Sequence, residues 1–357
     1  MTDDPDLRSL VVESTTKVLR DRCDPQTINS AGDESWKAPL WRELADAGLA
    51  LSWVPEKMGG AGVPVEIGFD VLYVAGQFAI PVPLAETMVS GWLLSRAGIN
   101  TPQGPITLAS SVEQQTIAIE SNGALSGTAR AVPFAGEADH LVVLAEADEG
   151  AVIALVEMQD CRITETGSIS GDSRGDISVD GVVPVAAAPL PGALQNDTVM
   201  LIGAAVRARQ IAGALQAILD LAVAYAKERV AFGRPIGKFQ AVQHNLARLA
   251  GEVAAANAVS GSAADAIAHA EGFDDAVFLE ITSAKIRAGE AAGAGAAIAH
   301  QVFGAIGFTQ EHILHRFTRR LWAWRDDFGS ESLWAERLGR RVVTAGADEL
   351  WPMLAAR

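Results

Sequence analysis

The stretch Glu228-Arg229-Val230-Ala231-Phe232-Gly233-Arg234-Pro235-Ile236-Gly237-Lys238-Phe239-Gln240-Ala241-Val242-Gln243 lies between two long Ala-rich segments of helical periodicity. Locally it reads as a helix end, a turn punctuated by Gly and Pro, and the start of a second helix. Such a turn needs the Gly and the Pro. It has no use for an Arg, a Phe and a Gln at fixed offsets, although an ordinary helical connection with a surface Arg would also carry this local pattern.

Outward from that turn, the chain from Val199 to its end is almost wholly helical in pattern. The spacing of apolar residues predicts helices over about Val199–Arg229, Phe239–Ala270, Asp274–Phe303 and Gln310–Ala345, which make an antiparallel four-helix bundle. The many Ala and Gly residues permit close helix approach, or reflect composition alone. Upstream, from about Ile106 to Leu190, the texture changes to short β-rich runs such as Leu141-Val142-Val143-Leu144 and Ala151-Val152-Ile153-Ala154-Leu155-Val156, separated by Gly, Asp and Asn turns. This predicts an antiparallel β-domain. Before it, Leu7 to Arg22, Trp36 to Gly48 and a stretch from Val65 onward read as helices. The expected fold class is α+β, with an all-α domain over 1–105, a β-domain over 106–190 and a helical bundle over 191–357.

A chain of 357 residues is long for one core, and 49% hydrophobic with 20% charged residues is a globular composition. A net charge of −16 argues against nucleic acid as a partner. An anionic small molecule can still bind where cations gather, as Arg316, Arg319, Arg320, Arg325, Arg337, Arg340 and Arg341 do late in the chain; such a run is also what a solvated helix face looks like. Two distant cysteines, Cys23 and Cys161, offer neither a disulfide framework nor metal-ligand spacing, so no metal is expected and a reducing, cytoplasmic setting fits. The acidic N-terminus lacks the pattern of a signal peptide. The most apolar run, near Ala284 to Phe308, contains Lys285, Arg287 and Glu290, so a bundle-core helix is expected there rather than a membrane span.

Three further strings join the first. They are Trp41-Arg42-Glu43-Leu44-Ala45-Asp46-Ala47-Gly48-Leu49 followed by Val54-Pro55-Glu56-Lys57-Met58-Gly59-Gly60-Ala61-Gly62; Leu125-Ser126-Gly127 followed by Ala138-Asp139-His140-Leu141-Val142-Val143; and Gln301-Val302-Phe303-Gly304-Ala305-Ile306-Gly307-Phe308. Together with R-x-x-F-G-x-P-I-x-x-F-Q-x-V-Q these resemble the acyl-CoA dehydrogenase family over essentially the whole chain. The resemblance implies FAD as cofactor, an acyl-CoA thioester as substrate, oxidation to the enoyl-CoA, and an electron-transfer flavoprotein or similar acceptor. It assigns Arg229, Phe232, Phe239, Gln240, Gln301, Gly304 and Ala305 to the pyrophosphate and adenosine end of an FAD whose ring sits in the neighbouring subunit. A guanidinium suits that role because its charge is permanent and its donors form a fixed fork. Ala305 stands where the family has a second Gly, which loosens the backbone approach.

Other family elements are missing. The loop that contacts the flavin ring is replaced by Ile106 to Gln114, and the Trp strand beside the ring by Val132-Pro133-Phe134. α,β-Dehydrogenation needs a carboxylate over the α-carbon. The family's usual Glu falls on Phe328, and the places where other members carry it, on the first bundle helix, read Gly203 and Gln210. Asp327 is the adjacent carboxylate and Glu331 follows closely; either also reads as an exposed loop acid, and Asp327 is taken as the candidate for a displaced base. Two functions follow from the resemblance: a complete enzyme using Asp327, or a non-catalytic subunit that completes the FAD site of an intact partner. Paired intact and degenerate chains occur in acyl-CoA dehydrogenases of bacterial steroid breakdown, so the expected assembly is a homo- or hetro-oligomer with an acyl-CoA dehydrogenase chain.

Overall fold

A computed structural model describes residues 5–109, 117–148, 150–192, 194 and 197–355. The ring-loop counterpart Ile106 to Gln114 therefore lies partly outside the described residues, from Ser110 onward.

Five helices open the chain: α1 (Pro5–Arg22), α2 (Pro25–Asn29), α3 (Lys37–Asp46), α4 (Val65–Gln77) and α5 (Leu84–Arg96). Of these, only α2 has no counterpart in the sequence reading; Asp24 caps it by accepting from the Thr27 amide at 2.8 Å. Helix α5 is buried along most of its length, including Glu86 at 3% exposure, which requires a partner for that charge.

The middle strands are β1 (Ile106–Leu108), β2 (Ala118–Ile119), β3 (Leu125–Ser126), β4 (Thr128–Pro133), β5 (His140–Ala147), β6 (Gly150–Glu157), β7 (Arg162–Glu165), β8 (Arg174–Ser178) and β9 (Ala186–Pro189). The antiparallel hairpin β5–β6 forms the centre of a six-stranded sheet in the order β3-β2-β5-β6-β9, with β1 pairing β5 off that path, and β4-β8-β7 make a second sheet. Pairing is antiparallel except that the short β1 and β2 run parallel to β5. Strand alternation divides the hairpin's side chains. Leu141, Val143, Ala145, Ala154 and Val156 face the core between the two sheets, whereas Val142, Ile153 and Leu155 join the core shared with the helices.

The last domain begins with α6 (Thr198–Glu228), continues through the small hairpin β10 (Val230–Ala231) and β11 (Arg234–Pro235), and then runs through α7 (Gln240–His269) and α8 (Asp275–Phe303). Helices α6 and α8 are long and apolar enough to cross a membrane, but 94% of the apolar window in α6 is buried inside the protein. An all-round apolar helix so placed is a core helix. At the α4–α6 crossing, a Cβ added at Gly213 would collide with the Tyr73 carbonyl, and one at Gly76 with the Gln210 carbonyl. At this crossing the small residues are therefore a packing requirement, not composition alone.

The expectation of one long fourth helix over Gln310–Ala345 is corrected. The segment forms α9 (Leu314–Asp326) and α10 (Glu331–Ala345), with α11 (Ala347–Ala355) beyond. Between α9 and α10, Phe328 and Gly329 take φ of 53° and 92°, which no α-helix accommodates. Ser330 then caps α10, and buried Lys285 of α8 closes the end of α9 by donating to the carbonyls of Trp324 at 2.7 Å, Arg325 at 2.9 Å and Asp327 at 2.8 Å.

Candidate functional site

The C-terminal ends of α6 and α8 and the start of α7 meet at one end of the bundle. Tyr225, in the last turn of α6, stacks on Phe303 with ring centroids 4.5 Å apart and donates to the Phe303 carbonyl at 3.4 Å. That contact brings the two strings singled out in the sequence, around Arg229 and Gln301, to the same end. Arg229 follows α6 as its C-cap, Gln240 is the first residue of α7, and Gln301 lies in the last turn of α8; all three are exposed. Phe232 is 95% exposed at the tip of the β10–β11 hairpin, with a φ of 51°. Phe239 is held by Arg234, whose guanidinium lies 4.3 Å from its ring centroid, and edge-on by Phe232 at 6.1 Å. Gly304 ends α8 at φ 64°, with open space where a Cβ would project, and Ala305 is exposed beside it. Behind this turn His300 stacks on Phe308 at 4.4 Å and contacts Thr318 at 3.1 Å; its burial lowers the imidazole pKa.

A second constellation lies deeper, where α5, α6, β8 and the break after α9 converge. Gly203, Arg207 and Gln210 share one face of α6 by their i, i+4, i+7 spacing. The Phe328 ring packs on Gly203 so closely that no Cβ could be placed there. Arg207, 2% exposed, pairs with Glu86 and with Asp327 at 3.0 Å, and donates to Gln210 Oε1 at 2.7 Å. Its guanidinium lies 5.6 Å from the Phe328 ring centroid and 6.0 Å from that of Trp324. Burial pulls the Arg207 pKa down, and Glu86 with Asp327 outweighs that pull and holds it above the ordinary arginine value. Asp327 is 7% exposed. One of its carboxylate oxygens accepts from Arg174 and the other from Arg207 Nε at 3.1 Å. Arg174 also donates to the Ala131 carbonyl at 2.8 Å within the β-domain, so that its pair with Asp327 ties that domain to the bundle.

In this setting Asp327 is a hydrogen-bonded anion between two guanidinium groups, with neither oxygen free to approach a substrate carbon. The cleft beside it, lined by Pro133, Phe134, Arg174, Arg207, Trp324 and Asp327 among others, holds about 20 Å³, roughly the room of one water molecule. Arg207 and Glu86 carried no role in the sequence reading. The signal available was a charge on an otherwise apolar helix face, which must be paired when buried; its partner lies on another helix and could not be read from spacing.

This order of an N-terminal helical domain, a middle β-domain and a helix-rich C-terminal domain, with the two bundle-end turns meeting, defines the acyl-CoA dehydrogenase fold. Residues 196–342 match the family described as Acyl-CoA dehydrogenase, C-terminal domain. The acyl-CoA dehydrogenase IpdE2 of Mycolicibacterium smegmatis is 30% identical over 324 residues, covering 88% of this chain and 91% of the relative. IpdE2 of Mycobacterium tuberculosis is 28% identical over 319 residues with the same coverage. The chain belongs to the acyl-CoA dehydrogenase family of FAD-binding oxidoreductases. Among solved structures, the Tcur3481-Tcur3483 steroid ACAD variant superposes with a TM-score of 0.83 at 26% identity, covering 95% of this chain and 98% of that one. The ChsE4-ChsE5 complex of Mycobacterium tuberculosis shares the fold with a TM-score of 0.85 at 24% identity, covering 97% and 100%.

Proposed function

We propose that this chain is the non-catalytic subunit of a hetero-oligomeric, FAD-dependent acyl-CoA dehydrogenase, and that it completes the FAD site of an intact partner chain. The observation that carries the reading is the Phe328–Gly203 contact beside the Arg174–Asp327–Arg207–Glu86 network: the room a base and a thioester need is filled by protein. The bundle end fits the other half of the cofactor. Arg229, Gln240 and Gln301 present exposed donors beside open turns at Gly233 and Gly304, which suits a pyrophosphate and its nucleoside. A flavin ring does not fit the narrow cleft of this chain. With its ADP end held by Arg229, Gln240 and Gln301, FAD would supply the hydride acceptor for the β-carbon of the thioester, and the α-proton would be left to a carboxylate of the partner.

Two relatives of two named components each, the Tcur3481-Tcur3483 and ChsE4-ChsE5 assemblies, support a paired architecture. Free Cys23 and Cys161 suit a cytoplasmic setting, and an electron-transfer flavoprotein is the acceptor class that this reading carries. A steroid-derived acyl-CoA is the thioester to assay beside straight-chain ones. The test is co-expression with an intact family member: the expected product is a hetero-oligomer with about half as many flavins as chains, by simple counting of complete sites. Its activity should vanish when the partner's glutamate is replaced. The reading fails if the chain purified by itself carries one FAD per protomer and oxidises an acyl-CoA, which would return Asp327 to consideration as a base.

A further inference from the structure

We propose that Arg316, Arg319 and Arg320 of α9, facing the loop 168–172 of the β-domain, form a binding site for a phosphate-bearing anion. This site is separate from the bundle end that carries Arg229, and the inference does not rest on the FAD reading.

The three arginines stand at i, i+3 and i+4 and so share one helix face. Arg320 is 4% exposed; it pairs with Asp172 and donates to the Arg316 carbonyl at 3.2 Å. Arg319 Nε donates to the Ile169 carbonyl at 2.5 Å, and its Nη2 lies against Gly171, whose φ of +85° and missing side chain leave the guanidinium its place. Asp172 is the one carboxylate in ion-pair contact with the cluster among the described residues; neither Arg316 nor Arg319 has one. The Nε groups of Arg316 and Arg320 are both buried and have no hydrogen-bond partner. Burial, together with the neighbouring Arg320, holds Arg316 at about 10, well below the ordinary arginine value.

Three guanidinium charges against one carboxylate leave an excess of two positive charges at a junction of all three domains, since Cys23 of the N-terminal domain also lies within electrostatic reach of Arg316. In a protein of net charge −16 such an excess is not a consequence of composition. Buried donors without acceptors and an uncompensated charge are both relieved by an incoming anion with several oxygens. A phosphate fits better than a carboxylate, because its second charge matches the excess and its tetrahedral oxygens can accept from more than one guanidinium fork. The hydroxyls of Ser168 and Ser170, 2.7 Å apart on the facing loop, add neutral donors at the rim. A free phosphate and the phosphate of a nucleotide both satisfy this chemistry.

Isothermal titration of the full-length chain with inorganic phosphate, with chloride at matched ionic strength as the reference, tests the site. The expected result is saturable binding with a dissociation constant on the order of 1 mM or tighter. Arg319→Gln and Arg316→Gln should each weaken it about tenfold or more, as loss of a charge-assisted hydrogen bond does. Arg340→Gln, which removes an exposed cation of α10 paired with Glu336, should leave it unchanged. If Arg316→Gln does not fold, Arg316→Lys keeps the charge, loses the fork, and should still bind more weakly than the parent. Tighter binding of ADP than of phosphate that is lost in Arg319→Gln and kept in Arg229→Ala identifies a nucleotide as the source, and equal binding a free phosphate. Phosphate binding no stronger than chloride, or an Arg319→Gln protein that binds like the parent, overturns the proposal.

Discussion

The ring of Phe328 rests on the backbone of Gly203, so closely that a Cβ at position 203 would lie inside the ring's contact distance. These are two of the positions at which family resemblance places a catalytic glutamate, one in the break between α9 and α10 and one on α6. The Phe328 ring fills the room a side chain at 203 would need, and Gly203 leaves the ring that room. The missing base is therefore not one deletion but a repacked site, in which Phe328 at φ 53° also covers the buried guanidinium of Arg207.

That contact predicts a sign reversal. In the parent protein Gly203→Ala should destabilise by up to about 2 kcal/mol net, since overpacking against a buried ring costs ~1–3 kcal/mol and helix propensity returns about 1. In a Phe328→Ala background the same substitution should stabilise by up to ~1 kcal/mol. Urea unfolding of the four proteins measures both. Additive effects would mean that the two residues do not meet.

Asp327 holds two arginines in the interior, and removing its charge leaves both uncompensated. Asp327→Asn should destabilise the chain by about 3–5 kcal/mol, the range for breaking a buried pair. Yet the flavin-reduction rate of the intact hetero-oligomer should stay within a few-fold of the parent. A loss of ~10²-fold or more in that rate, in a complex that assembles and holds FAD, would instead identify Asp327 as a base.

Lys285 gives the fold a pH dependence whose sign can be derived. Burial lowers its pKa from 10.5 to about 7, opposed by Asp327, so between pH 7 and 10.5 the unfolded chain binds more protons than the folded one. Stability contributed by this group is accordingly least at and below pH 7 and rises with pH through that window. Chemical denaturation of the parent and of Lys285→Met from pH 7 to 9.5 should show the parent gaining on the variant by up to about 1.4 kcal/mol per pH unit. Parallel curves would place the folded pKa near its ordinary value.

Arg229 is exposed and makes no ion pair within the described chain, so Arg229→Ala should leave the melting temperature of the isolated chain unchanged. In the hetero-oligomer it should weaken FAD binding by about 1.5–3 kcal/mol, roughly ten- to a hundredfold, through loss of charge-assisted hydrogen bonds. Flavin retained after dialysis against a dilution series reads the change directly. Retention equal to the parent's would remove Arg229 from the cofactor site.

Local pattern was enough for the helices on either side of Arg229, for the β5–β6 hairpin with its alternating faces, and for the motif-bearing turns, because each depends on periodicity and on Gly and Pro placement within a few residues. The sequence also exposed what is lacking, since Phe328, Gly203 and Gln210 can be read as non-bases without coordinates. It could not show that Phe328 and Gly203 touch, that Asp327 is clamped by Arg174 and Arg207, or that Glu86 completes that network. Those residues are far apart along the chain, and a buried charge announces only that it needs a partner, not which one. The break between α9 and α10 was missed for a related reason. Helical periodicity continues on both sides of residues 327–330, and the turn is held from outside, by Lys285 on the neighbouring helix. The sequence determined the elements and the missing chemistry of this protein; the tertiary structure alone decided how the vacated site was filled, because that depends on contacts between side chains that only packing brings together.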